Sequence, residues 1–408
     1  MGEILFLAHR VPFPPNRGDK IRSAHVLEKL ASLAPVHVGC FAQTDEDRMG
    51  HADVAALAAS QCIVNRTKPL VMAGLEAVLS SKPVSVTAFH STRLQNWVQD
   101  TLSTRPITTI FVFSGQMGQY IPDGFKGRVI VDLCDVDSAK FENYAEAGER
   151  VWLNSREGRL LAREEERLAQ CADATILISE NEADLFRSRL RDPSRSNIQV
   201  IGNGINCAVF DPANTDPQPE LAARPGPHFI FIGQMDYPPN EQAALSVVQS
   251  FWPVFHRDNP EAELHIVGRN PTKPLREKND VHGVTVWGEV PDVRPFIASA
   301  DFVVVPLAIA RGIQNKVLEA MAMAMPVLLT PEAATGINAV DGEHWMLCEA
   351  EPHAMSAKVD ELRAKPEAAA KLGQRARQFV LDHHDWDAML APIEALVSLQ
   401  GEEARDAA

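Results

Sequence analysis

Short apolar runs alternate along the chain with stretches of helical spacing. The first run covers residues 4–8 (ILFLA), and Ile21, Ala24, Leu27, Leu30 and Ala31 then recur with the period of a helix. Residues 36–41 read as a second strand and 61–64 as a weak one. Residues 107–113 (ITTIFVF) read as a strand buried on both faces, the parallel type. Residues 128–133 and 173–179 are further strands, with a long charged helix over 149–172 between them. A helix over 180–190 and a short strand at 197–201 close this half. The alternation predicts a parallel, doubly wound sheet for residues 1–205.

Residues 211–227 (DPANTDPQPELAARPGP) hold five prolines and read as a linker. The pattern restarts at 228–232 (HFIFI). A helix is expected from about 241 to 255, strands at 263–267 and 284–287, a short helix at 291–299, and a strand at 301–305. Residues 308–330 (AIARGIQNKVLEAMAMAMPVLLT) then read as loop, helix and buried strand, with Gly312 opening a turn and Asn315 a candidate cap. Helices at about 352–364, 366–382 and 386–399 complete the chain. The expected fold is α/β, with two doubly wound Rossmann-like domains facing a cleft. The first covers 1–205 and the second 206–385, with the helix at about 386–399 packing back on the first.

Open parallel sheets bind ligands outside the carboxyl ends of their strands. In the second half Gly233, Gly268, Gly288 and Gly312 all follow strands and should converge on one edge. Arg311 and Lys316 flank a helix N-terminus there, which makes an anion site. Glu319, one turn further in, can accept hydrogen bonds from vicinal hydroxyls such as those of a ribose. A simple cap, a surface ion pair and a core helix would leave the same pattern. In the first half, the loop 9–20 (HRVPFPPNRGDK) sets Arg10, Arg17, Lys20 and Arg22 around Gly18. It suits a phosphate contact or a solvated basic loop equally, and it lacks the G-x-G-x-x-G dinucleotide fingerprint. Asp132, Asp135 and Asp137 cluster after a strand, but without the spacing of a calcium loop. Capping by Asp135 or Asp137 is the plainer account.

Charge narrows the partners. Residues 1–205 carry 23 Lys+Arg against 25 Asp+Glu, and residues 206–408 carry 16 against 29. That balance argues against nucleic acid as a partner, while the near-neutral first half leaves room for peripheral contact with an anionic membrane. No apolar run reaches the roughly 18–20 residues that span a bilayer. Glu3 stands where a signal peptide would be basic. The expectation is a cytoplasmic protein, or one peripheral at the inner face of the plasma membrane. The six cysteines form no C-x-x-C pair and read as reduced structural thiols rather than a metal site.

Taken in order, several stretches resemble the retaining glycosyltransferases of family four, whose two-Rossmann-domain architecture is called GT-B. They are Asn203-Gly204-Ile205-Asn206 with Phe210 and Pro212, Ile266-Val267-Gly268, Gly288-Glu289-Val290-Pro291-Asp292-Val293, Asp301 to Pro306, and Lys316-Val317-Leu318-Glu319-Ala320-Met321-Ala322 with Met325-Pro326-Val327. PFPPNRGDKIRS at 12–23 and ARGIQNKVLEAMAM at 310–323 look like the sugar transferases of bacterial exopolysaccharide and PEP-CTERM sorting systems.

The resemblance implies transfer of a sugar, with retention, from a nucleotide-diphosphate sugar to a glycan or lipid-linked acceptor, with no metal and no cofactor. It implies that Glu319 holds the donor ribose, that Gly18 lies near the donor phosphates, and that Gly288 and Glu289 frame the base. Three positions depart from the family. Arg311 stands where its first glutamate would be. Gln234 replaces an arginine after Ile232-Gly233, and Ser114 stands near the place of a usual histidine. Arg311 and Lys316, with Arg269 as a third candidate, are therefore the expected diphosphate contacts, and Gln234 and Gly312 are further expected donor-binding residues. Asp135 and Ser114 are candidates for orienting the acceptor. A nucleotide-sugar 2-epimerase on the same fold, or a degenerate protein that binds without turnover, would carry the same motifs.

Overall fold

The computed structural model describes residues 2–310 and 313–398. Arg311 and Gly312 therefore lie outside the described residues. The chain divides into two compact units. One runs to Asn203 and takes in the chain from Met389, and the other is Gly204–Ala388.

The first unit is built on a seven-stranded sheet of β1 (Glu3–Ala8), β2 (Val36–Ala42), β3 (Ser60–Asn65), β4 (Ile107–Phe113), β5 (Arg128–Cys134), β6 (Ala174–Leu177) and β7 (Ile198–Val200). The order is β3-β2-β1-β4-β5-β6-β7 and every neighbouring pair is parallel. Ile4 to Ala8 and Ile110 to Phe113 are all buried. Helices cover both faces of such a sheet, so the central strands are continuously apolar rather than alternating. The order reverses between β1 and β4, which opens a crevice at their carboxyl ends.

One charged pair crosses this core. Arg22, on the helix Gly18–Leu33, donates from Nε to Asp132 on β5 at 2.9 Å, and both residues are buried. Its other nitrogens reach the carbonyls of Ile201 and Gly202, each at 2.8 Å, and Oδ1 of Asn203 at 3.1 Å. The guanidinium thus holds the segment at which the chain leaves the unit, Ile201 to Asn203, against its first helix. Lys20 is likewise buried and donates to Asp47 at 2.9 Å. Two of the four cations expected to present a phosphate site are therefore core ion pairs. Their partners lie far along the chain, where spacing could not reveal them.

The second unit repeats the plan with β8 (His228–Ile232), β9 (Glu263–Val267), β10 (Val284–Gly288), β11 (Phe302–Val305), β12 (Val327–Leu329) and β13 (Met346–Leu347). Its order is β10-β9-β8-β11-β12-β13, again parallel throughout. This is the Rossmann order, with its switch point between β8 and β11. The proline-rich stretch does not act as a spacer. It folds onto this unit through buried Leu221, the Gln218 N–H bonded to Ser299 Oγ at 2.7 Å, and an Arg377–Asp211 ion pair at 3.0 Å. The helix after β8 also begins earlier than its pattern suggests, at Pro238, because proline is well placed in a first helical turn. Asn315 is the first helical residue rather than the cap; Gln314 holds the cap position, without a side-chain capping bond. Among the described residues no helix is long and apolar enough to cross a membrane.

Replacing Arg22 with methionine strands the Asp132 carboxylate in the core. The expected cost is about 3–5 kcal/mol, read as a lower urea midpoint at unchanged slope. A midpoint within error of wild type would show that the pair does not hold the unit together.

Candidate functional site

The strand ends of the second unit are joined by their backbones. The Gly233 N–H donates to the Val267 carbonyl at 3.1 Å, and the Gly268 N–H to the Gly288 carbonyl at 2.8 Å. Gly268 has φ +150°, and a Cβ there would stand 1.7 Å from the Gly233 carbonyl oxygen. Only glycine permits that approach. The loops after β8, β9 and β10 therefore meet at one edge.

The helix Asn315–Ala322 brings Lys316 and Glu319 to the same edge. Lys316 is half-buried. Its ammonium donates to Asn240 Oδ1 and lies 5.4 Å from the centre of the Phe231 ring. Burial pushes its pKa down to about 8, against the opposing pull of Glu319. Burial in turn pushes the Glu319 carboxyl up, with Lys316 pulling it down. No described residue hydrogen-bonds the Glu319 carboxylate. Asn240 also donates to the Gln234 carbonyl at 3.0 Å, and Arg269 donates to Gln234 Oε1 at 2.6 Å. Gln234 thus joins two cations, Arg269 and Lys316, through one amide network. Gly288 has φ +72° and Glu289 beside it is exposed.

In the first unit, a cavity of about 630 Å³ opens at the carboxyl ends of β1, β4 and β5. Its walls include Arg10, Gly18, Asp19, Ser114, Asp135 and Lys140. Burial alone would raise the Asp19 carboxyl. His9 and Arg10, each at 3.2 Å, and Arg17 at 2.6 Å hold it far below the usual carboxylate range instead. The loop's remaining cations are therefore turned onto an internal carboxylate. Gly18 is exposed, and a Cβ there would meet nothing within 4 Å.

Ser114 has φ +77°, and Cys134, just before Asp135, has φ +64°. Both are strained conformations of a kind that clusters at working sites. Ser114 Oγ donates to Gln116 Oε1, and Gln116 donates to Asp137 at 3.3 Å. Neither Asp135 nor Asp137 caps the following helix, Asp137–Glu146. Carboxylates from elsewhere do so. Glu165 accepts from the Ser138 N–H at 2.9 Å, and Glu182 from the Val136 N–H at 2.8 Å. Asp135 is left facing the cavity, its carboxyl pushed up by burial and by Glu182 and Asp137.

One cluster had no signal in the spacing. His228, Glu263 and His265 bring ligand atoms within 4.8 Å of one another, as a metal site would. The hydrogen bonds oppose that use. Trp287 Nε1, which can only donate, points at His265 Nδ1 at 3.3 Å. Nδ1 therefore accepts, and the proton sits on Nε2, which faces His228 Nδ1 at 3.1 Å. His228 Nε2–H then donates to the Arg224 carbonyl at 3.3 Å. Two ring N–H groups thus donate in series, and Nε2, the atom His265 turns toward the cluster, carries its proton rather than a lone pair for a metal.

Residues 226–365 match the family model described as "Glycosyl transferases group 1". Among curated proteins, the putative glycosyltransferase EpsD of Bacillus subtilis is 26% identical over 217 residues, covering 50% of this chain and 56% of that protein. The match thus spans little more than half of that relative. Among solved structures, sucrose-phosphate synthase from Thermosynechococcus elongatus is 18% identical with a TM-score of 0.58, covering 97% of this chain and 98% of that one. Anabaena HepE in complex with UDP is 13% identical with a TM-score of 0.60, covering 96% and 98%. These likenesses establish the fold as that of the GT-B glycosyltransferases, with two Rossmann-like domains.

The buried imidazole makes a pH prediction. Burial, then His228 and Arg224, lower the His265 pKa from 6.5 to about 3. An unfolded histidine takes up a proton below about pH 6.5, which this folded ring resists. Its contribution to stability is complete above that pH and is lost as pH falls toward 3, by about 1.4 kcal/mol per pH unit. Urea midpoints measured between these limits should fall more steeply for wild type than for His265→Gln. Parallel profiles would contradict the assignment.

Proposed function

We propose that this chain is a glycosyltransferase. It moves a sugar, with retention, from a nucleotide-diphosphate sugar to a glycan or lipid-linked acceptor in bacterial exopolysaccharide synthesis. The observation that carries the reading is Lys316 with Glu319 at the carboxyl edge of the second sheet. There a half-buried ammonium and a carboxylate with no hydrogen bond to a described residue stand one helical turn apart, inside the segment matching the transferase family. HepE, of the same fold, was solved with UDP and with UDP and glucose, which supports a nucleotide-sugar donor.

The chemistry follows from charge. As the anomeric bond breaks, the leaving nucleoside diphosphate gains negative charge, and fixed cations stabilise it. In this reading Lys316 and Arg269 supply that charge, with Arg311 and Gly312, outside the described residues, as further candidate contacts. Glu319 accepts hydrogen bonds from the ribose hydroxyls, while Gly288 and Glu289 border the base. Retention is consistent with front-face attack, in which the departing phosphate takes the acceptor proton and no protein nucleophile is required. Asp135 and Ser114 orient the acceptor hydroxyl. Neither metal nor cofactor is called for, since cations and backbone N–H groups perform the electrostatic role.

A thermal-shift screen over UDP-, GDP- and ADP-sugars should give one donor class that raises Tm, because a ligand of the native state stabilises it by mass action. A flat response across all three classes contradicts the reading. With the donor identified, Lys316→Met should raise its KM or lower kcat, and together these should cost roughly 10- to 150-fold in kcat/KM, the loss of one charge-assisted phosphate contact. Unaltered kinetics would remove Lys316 from the site. Product analysis with and without a lipid-linked acceptor separates transfer from epimerisation, since an epimerase turns over without one.

A further inference from the structure

The helix Leu70–Ser80, LVMAGLEAVLS, turns its apolar side outward. Only Ala73 and Ala77 are buried against the unit, whereas Leu70, Val71, Met72, Leu75, Val78 and Leu79 are each at least 60% exposed, and Leu79 is 87% exposed. A helix that packed on the core in the usual way would show the reverse. A contiguous apolar surface of this kind marks a docking face.

The face is extended by a second helix, Val151–Cys171. Its Arg156 donates to the Ala77 carbonyl at 2.8 Å, which ties it to the end of Leu70–Ser80. Trp152, one turn earlier on the same side of that helix, is 73% exposed. Basic residues flank the surface: Arg66 and Lys68 line a cavity with Met72, Arg156 reaches the Ala77 and Lys82 carbonyls, and Arg150 and Arg159 stand exposed on either side of Trp152 along the chain. The acids are fewer. Glu76 is tied back by Lys68 at 2.7 Å, and Glu149 stands exposed. At the start of the helix a cavity of about 400 Å³ is lined by Arg66, Lys68, His90 and Met72. Arg66 Nε is buried there without a hydrogen-bond partner among the described residues.

We propose that this face docks on an anionic phospholipid surface. Leu70–Ser80 and Trp152 enter the interface, and the cavity at Arg66 takes a headgroup phosphate. Charge selects this occupant. A second copy would press one basic rim against another, whereas an anionic bilayer complements both the rim and the cavity. Leucine and valine surrounded by lysine and arginine, with an exposed tryptophan, is also the composition of a helix lying in a membrane interface. The helix starts just after the carboxyl end of β3, the edge that also carries the Ser114 and Asp135 cavity. A chain seated this way presents that edge toward lipid. The docking claim stands on the geometry of the first unit and does not depend on sugar transfer.

The test is co-sedimentation of the full chain with sucrose-loaded vesicles, with no activity readout. Wild type is expected to pellet with phosphatidylethanolamine–phosphatidylglycerol vesicles, less with pure phosphatidylcholine, and less again at high salt. The double variant Leu75→Ser/Leu79→Ser should lower partitioning by about tenfold or more per leucine while keeping the Tm of wild type, since both side chains are exposed. Arg66→Gln should reduce binding to the anionic vesicles alone. Wild type remaining in the supernatant, or a double variant that pellets like wild type, overturns the proposal. So does a wild-type dimer that the double variant dissociates, because a second copy then covers the face.

Discussion

A lysine ammonium that has given up part of its water needs an anion nearby, and the second unit is arranged around one such group. Among the described residues Lys316 keeps one hydrogen-bond acceptor, the amide oxygen of Asn240, and an aromatic face, that of Phe231. Glu319 lies one turn away and makes no hydrogen bond to a described residue. A salt bridge buried for stability would bring the two together with its remaining positions satisfied. Here the pair is left incomplete, at the edge where the order of the parallel sheet reverses. The backbone around it is fixed by the close approach of Gly268 to Gly233, so the charge is held in place before any ligand arrives.

The first unit disposes of its cations differently. Arg22 and Lys20 are consumed by Asp132 and Asp47, and His9, Arg10 and Arg17 converge on Asp19. Its cavity is consequently more balanced in charge, with Asp135 and Lys140 among its walls. The two units thus share a topology and differ in what their strand ends offer.

Much of this was legible in the chain itself. Apolar runs separated by helical spacing give two parallel sheets, and in such sheets glycines after strands must meet at one edge. Lys316 and Glu319 could be singled out because helix and strand together fix where a helix N-terminus falls. Pairings across long separations were not legible. Nothing near Arg22 announces Asp132, and nothing near Asp135 announces that Glu165 and Glu182 would cap the next helix in its place. The run LVMAGLEAVLS has the composition of a core helix, and only packing reveals that its leucines face outward. The hydrogen-bonded His228–His265 series depends on a tryptophan from a neighbouring strand, beyond the reach of any local pattern.

The central claim is that Lys316 meets the donor's phosphates, and proton uptake on binding tests it most directly. With a folded pKa of about 8, Lys316 is about half charged at that pH. A phosphate held against it must draw in the rest of the proton. Calorimetric titration of the cognate nucleoside diphosphate at pH 8, in buffers of different ionisation enthalpy, should give an uptake of about half a proton. Lys316→Met should bind more weakly and show none of that uptake. Binding of wild type without proton uptake, or with uptake that persists in Lys316→Met, would contradict the account.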